Sequence, residues 1–190
     1  LVDTQDIDLN VSREMLQNNP AVAKISKSLV GKILRELKKV SEKNADGYKS
    51  FWKEYGAVLK EGLYEDAERK EALLDLCRFS TNENDDPISL SGYVEKMPEK
   101  QKDIYYISAE TKDQALASPH LEGFKSKKIP VLIMTDAIDQ FWLPMVGSFK
   151  EKKFTSITQG QINLDDLDEK NKDKKKDDKN KKEKKDKEYV

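Results

Sequence analysis

The order of apolar and polar positions divides the chain into a helical part, a part of short apolar runs and a charged tail. Between Pro20 and about Glu42, Val22, Ile25, Leu29, Ile33, Leu37 and Val40 recur at steps of three and four, one stripe of a long amphipathic helix. Asn19 suits its N-cap, and Pro20 its first position, where the missing N–H would have had no partner. Gly31 inside it costs about 1 kcal/mol relative to alanine, so packing must offset the loss. Lys24, Lys27, Lys32, Arg35, Lys38 and Lys39 fill the other faces, read as a solvated surface. After the turn Asn44-Ala45-Asp46-Gly47, with Asp46 as the expected cap, Tyr48, Phe51, Tyr55 and Val58 or Leu59 form a second stripe flanked by Trp52. Gly56 weakens this helix and Gly62 suits its end. A third helix is expected over about 65–78, with Ala67, Leu73, Leu74, Leu76 and Cys77 as its apolar content. Three helices on short loops predict a coil over residues 20–81 whose aromatic faces form a mutual core.

The polar, breaker-rich run Asn82 to Pro87 marks a boundary. Ser89 can cap a helix that Pro98 stops. Ile104-Tyr105-Tyr106-Ile107 and Val131-Leu132-Ile133-Met134 read as buried strands, and 154–158 as a shorter third. Helical turns over 111–117 and 119–127 and a helix over 139–146 separate them. Such alternation predicts an α/β class over residues 88–164: a small three-layer α/β/α sandwich with parallel strands, right-handed crossovers and helices on its faces.

Residues 165–190 read as a charged linker or solvent-exposed helix. From Asp165 to Glu188, 11 lysines face 10 acids, so the segment cannot bury enough apolar surface to fold alone, and its charges cancel. The whole chain, 190 residues at 37% charged, carries a net charge of −1. That balance argues against nucleic acid as a partner, since its binders present a basic face. No apolar run approaches the ~20 residues of a membrane-spanning helix. One cysteine excludes an internal disulfide framework. The chain opens on Leu1 within what reads as a motif, so a fragment of a longer protein is expected.

Little in the chain suits independent catalysis. The single His120 and single Cys77 lack partners at metal-ligand spacing, so no metal site is expected. His120 reads as a helix-start contact and Cys77 as core. There is no glycine-rich phosphate loop, and neither Ser108 to Thr111 nor Asp136 carries a phosphate-binding signature. One stretch stands out, Asp8 to Pro20. Ser12 can cap a short helix that opens on Arg13, where the helix dipole disfavours a cation. A surface arginine paired with Glu14 or Asp8 explains it. So does an anion between the helix N–H groups and the guanidinium fork.

The run Asp6-Ile7-Asp8-Leu9-Asn10-Val11-Ser12-Arg13-Glu14-Met15-Leu16-Gln17 resembles the catalytic-loop motif in the middle domain of the heat shock protein 90 family. The likeness continues in order through Phe51-Trp52-Lys53-Glu54-Tyr55-Gly56, Leu76-Cys77-Arg78-Phe79-Ser80-Thr81, Ser118-Pro119-His120-Leu121-Glu122 and Thr135-Asp136-Ala137-Ile138-Asp139, over roughly residues 1–160. Asp8 departs from it, standing where the family usually has proline. The resemblance implies that residues 1–19 end a larger α/β segment of a homodimeric, ATP-dependent, stress-response chaperone of the bacterial cytoplasm. It implies that Arg13 reaches the terminal phosphate of ATP, bound with Mg2+ in an N-terminal ATPase domain outside this chain, with Gln17 as a weaker companion. It implies a C-terminal dimerisation domain as a further partner, and a client-protein contact at Gln140, Phe141 and Trp142. There the family's acidic residue, tryptophan and asparagine are replaced by Gln140, Phe141 and Pro144. Phe141 and Trp142 are adjacent, so they cannot share a helix face, and core packing competes with client contact for this group. The fragment alone is not expected to hydrolyse ATP. A scaffold or adaptor module, using the coil and tail to hold partners, is the alternative.

Overall fold

A computed structural model describes residues 19–84, 86–159, 162 and 164. It divides into two compact units between Cys77 and Arg78.

The first unit is the expected helical coil. Helix α1 (Pro20–Lys43) starts as anticipated, with Asn19 Oδ1 accepting from the Ala21 N–H at 2.8 Å and Pro20 in the first turn. Its inward face differs from the sequence stripe. Leu34 is the buried residue, whereas Ile33 and Val40 are 55% and 39% exposed. Lys27 and Lys38 border that inward face and bridge to Glu68 (2.7 Å) and Asp75 (3.1 Å). Helix α2 (Ala45–Glu65) is capped by Asn44, whose Oδ1 accepts from the Gly47 N–H, and Asp46 lies in its first turn instead of capping it. A Cβ on Gly47 would fall 2.4 Å from the Asn44 amide, so the glycine makes room for the cap. Gly56 serves packing: a Cβ there would meet the Trp52 indole at 2.8 Å. A single 3-10 turn (Ala67–Arg69) leads into α3 (Lys70–Leu76), which packs on both longer helices. The Tyr48 hydroxyl, buried between α2 and α3, donates to the Leu76 carbonyl at 2.7 Å.

The second unit holds a six-stranded mixed sheet. Its strands are β1 (Arg78–Thr81), β2 (Ile88–Ser89), β3 (Ile104–Ser108), β4 (Leu132–Met134), β5 (Ser148–Phe149) and β6 (Lys152–Ser156), in the order β2-β1-β4-β3-β6-β5. The three anticipated strands form its parallel centre: β3 lies between β4 and β6 and is parallel to both. The third helix ends at Leu76, so Arg78 is strand instead of helix, and β1 pairs antiparallel with β4 and β2. The side chain of Asn82 holds that pairing, its Oδ1 accepting from the Val131 N–H at 2.7 Å. The last parallel strand begins at Lys152, two residues before the sequence reading placed it, because β5 forms a hairpin with it.

The helices follow from connection geometry. The chain crosses from β3 to β4 on one side and then back past β3 to β6. A right-handed crossover taken in opposite directions puts its helix on opposite faces. Accordingly Tyr105, Ile107, Val131 and Ile133 share a buried cluster with Ala115, Leu121 and Phe124, from α5 (Lys112–Leu116), the 3-10 turn Pro119–Leu121 and α6 (Glu122–Ser126). The opposite face carries α7 (Asp139–Val146), whose Trp142 ring meets Phe79 of β1 and Phe154 of β6. Helix α4 (Leu90–Lys96) is capped by Ser89 as anticipated. Its Tyr93 is locked in place: the hydroxyl donates to Pro130 O at 2.6 Å and accepts from Tyr105 N–H and Gln101 Nε2.

Candidate functional site

The expected site residues fall into two groups. Arg13 and Gln17 lie outside the described residues. Gln140, Phe141 and Trp142 lie on α7, and the structure separates them. Strand β4 ends at Met134, and the turn through Asp136 brings Asp139 under the helix start. Asp139 is 1% exposed. Its Oδ2 accepts from the Asp136 N–H at 3.2 Å and its Oδ1 from the Trp142 indole N–H at 2.8 Å. Two N–H donors thus satisfy a carboxylate that would be costly to bury alone, and its place in the first helical turn suits the dipole. Trp142 has no solvent exposure, and its ring is edge-on to Phe154 with centroids 5.5 Å apart.

Fixing Trp142 inward fixes the rest of α7. Leu143 and Val146 are buried with it. Gln140, Phe141, Pro144 and Met145 turn outward, and Phe141 and Met145 are 59% and 57% exposed. At four-residue spacing these two lie side by side on one helix face. Pro144 is tolerated inside the helix because the carbonyl that would lack its N–H, that of exposed Gln140, belongs to a surface residue. Gly147 ends the helix at φ 67°, its N–H reaching Leu143 O. The contact expected of Trp142 is therefore corrected: a sealed side chain cannot touch a client, and it supports the surface that Phe141 and Met145 present. Met145, four residues after Phe141, completes that outward surface.

The remaining chemistry-bearing residues are separate. Cys77 is buried and His120 exposed. Among the described residues, no three His, Cys, Asp or Glu side chains group as metal ligands. Also among the described residues, no helix is long and apolar enough to cross a membrane. Burial raises the Tyr93 phenol well above its ordinary value, and burial also raises that of Tyr105. The Tyr93 hydroxyl anchors backbone at Pro130 and Tyr105, and the Tyr105 ring packs against Phe124.

The Hsp90 protein family model matches residues 1–188. The chain belongs to the Hsp90 family. It is 45% identical to the chaperone protein HtpG of Roseobacter denitrificans over 90% of this chain and 28% of that protein. It is 49% identical to the HtpG of Paramagnetospirillum magneticum over 86% of this chain and 26% of that protein. It thus spans about a quarter of the length of these curated relatives. Among solved structures, the middle domain of a Plasmodium falciparum heat shock protein matches with a TM-score of 0.68 and 33% identity, covering 75% of this chain and 61% of that one. The two units described above therefore carry the fold of an Hsp90 middle domain, within an α/β class.

Proposed function

We propose that this chain is the middle-domain part of an ATP-dependent chaperone of the HtpG type, acting as a homodimer in the bacterial cytoplasm. Its partners are an N-terminal ATPase domain and a C-terminal dimerisation domain of the same protein, and partly folded clients. The family match across residues 1–188 is the observation that carries this reading.

In this proposal Arg13 approaches the terminal phosphate of ATP held by the N-terminal domain. Its guanidinium offsets charge that grows on the transferred phosphoryl group, as an arginine finger does. Gln17, four residues on, shares the helical face and steadies the phosphate or the loop. Mg2+ accompanies the ATP in that other domain.

The client surface is assigned to the outward face of α7. Exposed Phe141 and Met145 supply apolar contact area, and Gln140 a hydrogen-bonding edge. Exposed aromatic and thioether groups suit many partners, because methionine adapts its shape and aromatics contribute large contact area. The test is suppression of aggregation of an unfolded client by the full-length protein. Phe141→Ser should weaken it several-fold with an unchanged melting temperature. Suppression equal to the parent protein would remove the α7 face from the client site.

A further inference from the structure

Helix α2 buries Tyr48, Gly56, Lys60 and Leu63, yet Tyr55 and Val58 remain 55% and 59% exposed. At ~100° per residue, Phe51, Tyr55 and Val58 lie within ~60° of one another around the helix axis. Phe51 is half-buried, and its ring stacks on that of Tyr55 with centroids 5.3 Å apart. Glu54, Glu61 and Glu65 follow within ~60° beyond Val58, on the side away from Tyr55, and all three are exposed. Among the described residues, none of these three acids forms an ion pair. The exposed lysines of α2, Lys49 and Lys53, lie ~120° or more from Phe51, Tyr55 and Val58.

An exposed apolar row edged by an acidic row is a two-part recognition surface. We infer that this face of α2 docks an amphipathic helical segment of a partner protein, apolar along one side and bearing lysine or arginine along its flank. Charge selects the occupant. The acids attract a basic flank, whereas an acidic one would meet like charge. The same row repels anionic lipid headgroups and nucleic-acid phosphates. A second copy docked through the same face would set acid row against acid row, with the α2 lysines turned away. The chain's own tail has the lysines but lacks the apolar side, since Leu167 is its one apolar residue from Asp165 to Glu188. The inference stands on α2 alone and does not rest on the chaperone reading.

The experiment is fluorescence anisotropy of a labelled synthetic amphipathic helical peptide of leucine and lysine, titrated with this chain. Binding should weaken at high salt. It should fall about tenfold or more with Tyr55→Ser/Val58→Ser and with Glu54→Lys/Glu61→Lys. The same charge reversal on the second unit, Glu110→Lys/Glu122→Lys, should leave it unchanged. The melts should match that of the parent chain; if loss of the Tyr55 ring lowers the melt, Val58→Ser carries the test. No binding, or binding indifferent to the α2 variants, would overturn the inference. So would an equal loss with Glu110→Lys/Glu122→Lys, which would make the attraction one of net charge. Equal binding of the leucine–glutamate counterpart would remove the acids from the site, and self-association lost in Tyr55→Ser/Val58→Ser would assign the face to a second copy; either result contradicts the inference.

Discussion

The indole N–H of Trp142 donates to the Asp139 carboxylate at 2.8 Å, and both residues are sealed from solvent. This pair decides which side of α7 faces the sheet and which side faces outward. Asp139→Ala would leave the Trp142 and Asp136 N–H groups without that acceptor. The expected loss is about 1–3 kcal/mol, read by urea denaturation. Asp139→Asn, which keeps an oxygen acceptor, should lose less. Equal stability of Asp139→Ala and the parent would contradict the role assigned to the pair.

Trp142→Ala should act on the fold. Its ring fills the space between Phe79 and Phe154, and truncation there costs about 3–5 kcal/mol. Weakened client binding with an intact cooperative melt would show that Trp142 belongs to the surface after all.

How far the sequence could be read depends on the kind of signal. Strands β3 and β4 were legible because Ile104 to Ile107 and Val131 to Met134 are continuous apolar runs, as central parallel strands require. Strand β1 was hidden: Arg78 to Thr81 follow the third helix with no glycine or proline between, and Cys77 at φ −63°, ψ 146° makes the break. Strand β5 has two residues, and its turn uses Lys150 and Glu151 at positive φ instead of Asn-Gly, so no turn signature announced it. On α1, periodicity found the apolar stripe but did not single out Leu34, the residue the coil buries. On α7, adjacency showed that Phe141 and Trp142 must part. The acceptor at Asp139, three residues before Trp142, was the unread clue to which one turns in. The motif around Arg13 was legible only through resemblance, since capping and charge alone allowed a plain surface arginine.

Tyr93 gives a pH prediction. Burial raises its phenol in the folded state above the unfolded value near 10. The neutral phenol is the form the fold holds, so its contribution is complete below about pH 10 and is lost as pH rises towards the folded value. Stability measured by denaturant should therefore fall above about pH 10. Tyr93→Phe should flatten that fall while lowering stability at neutral pH by about 1–3 kcal/mol, because the Tyr105 N–H and Gln101 amide lose an acceptor and Pro130 O loses a donor. An identical alkaline slope in the variant would remove Tyr93 from the account.

The cap of α2 gives a local test. Asn44→Ala removes the acceptor for the Gly47 N–H and should cost about 1 kcal/mol. Asp46→Ala, in the first turn but outside the cap, should cost less than Asn44→Ala. The reverse order, read by thermal melts of the two variants, would return the cap to Asp46.

The most direct measurement of the proposed function is ATP turnover by the full-length protein carrying Arg13→Ala. If the guanidinium completes a site in another domain, turnover should fall by about tenfold or more, while ATP affinity stays within about twofold. Unchanged turnover would contradict the account. So would a loss of ATP affinity large enough to explain the slower rate, because Arg13 would then hold nucleotide rather than act on its reacting phosphate.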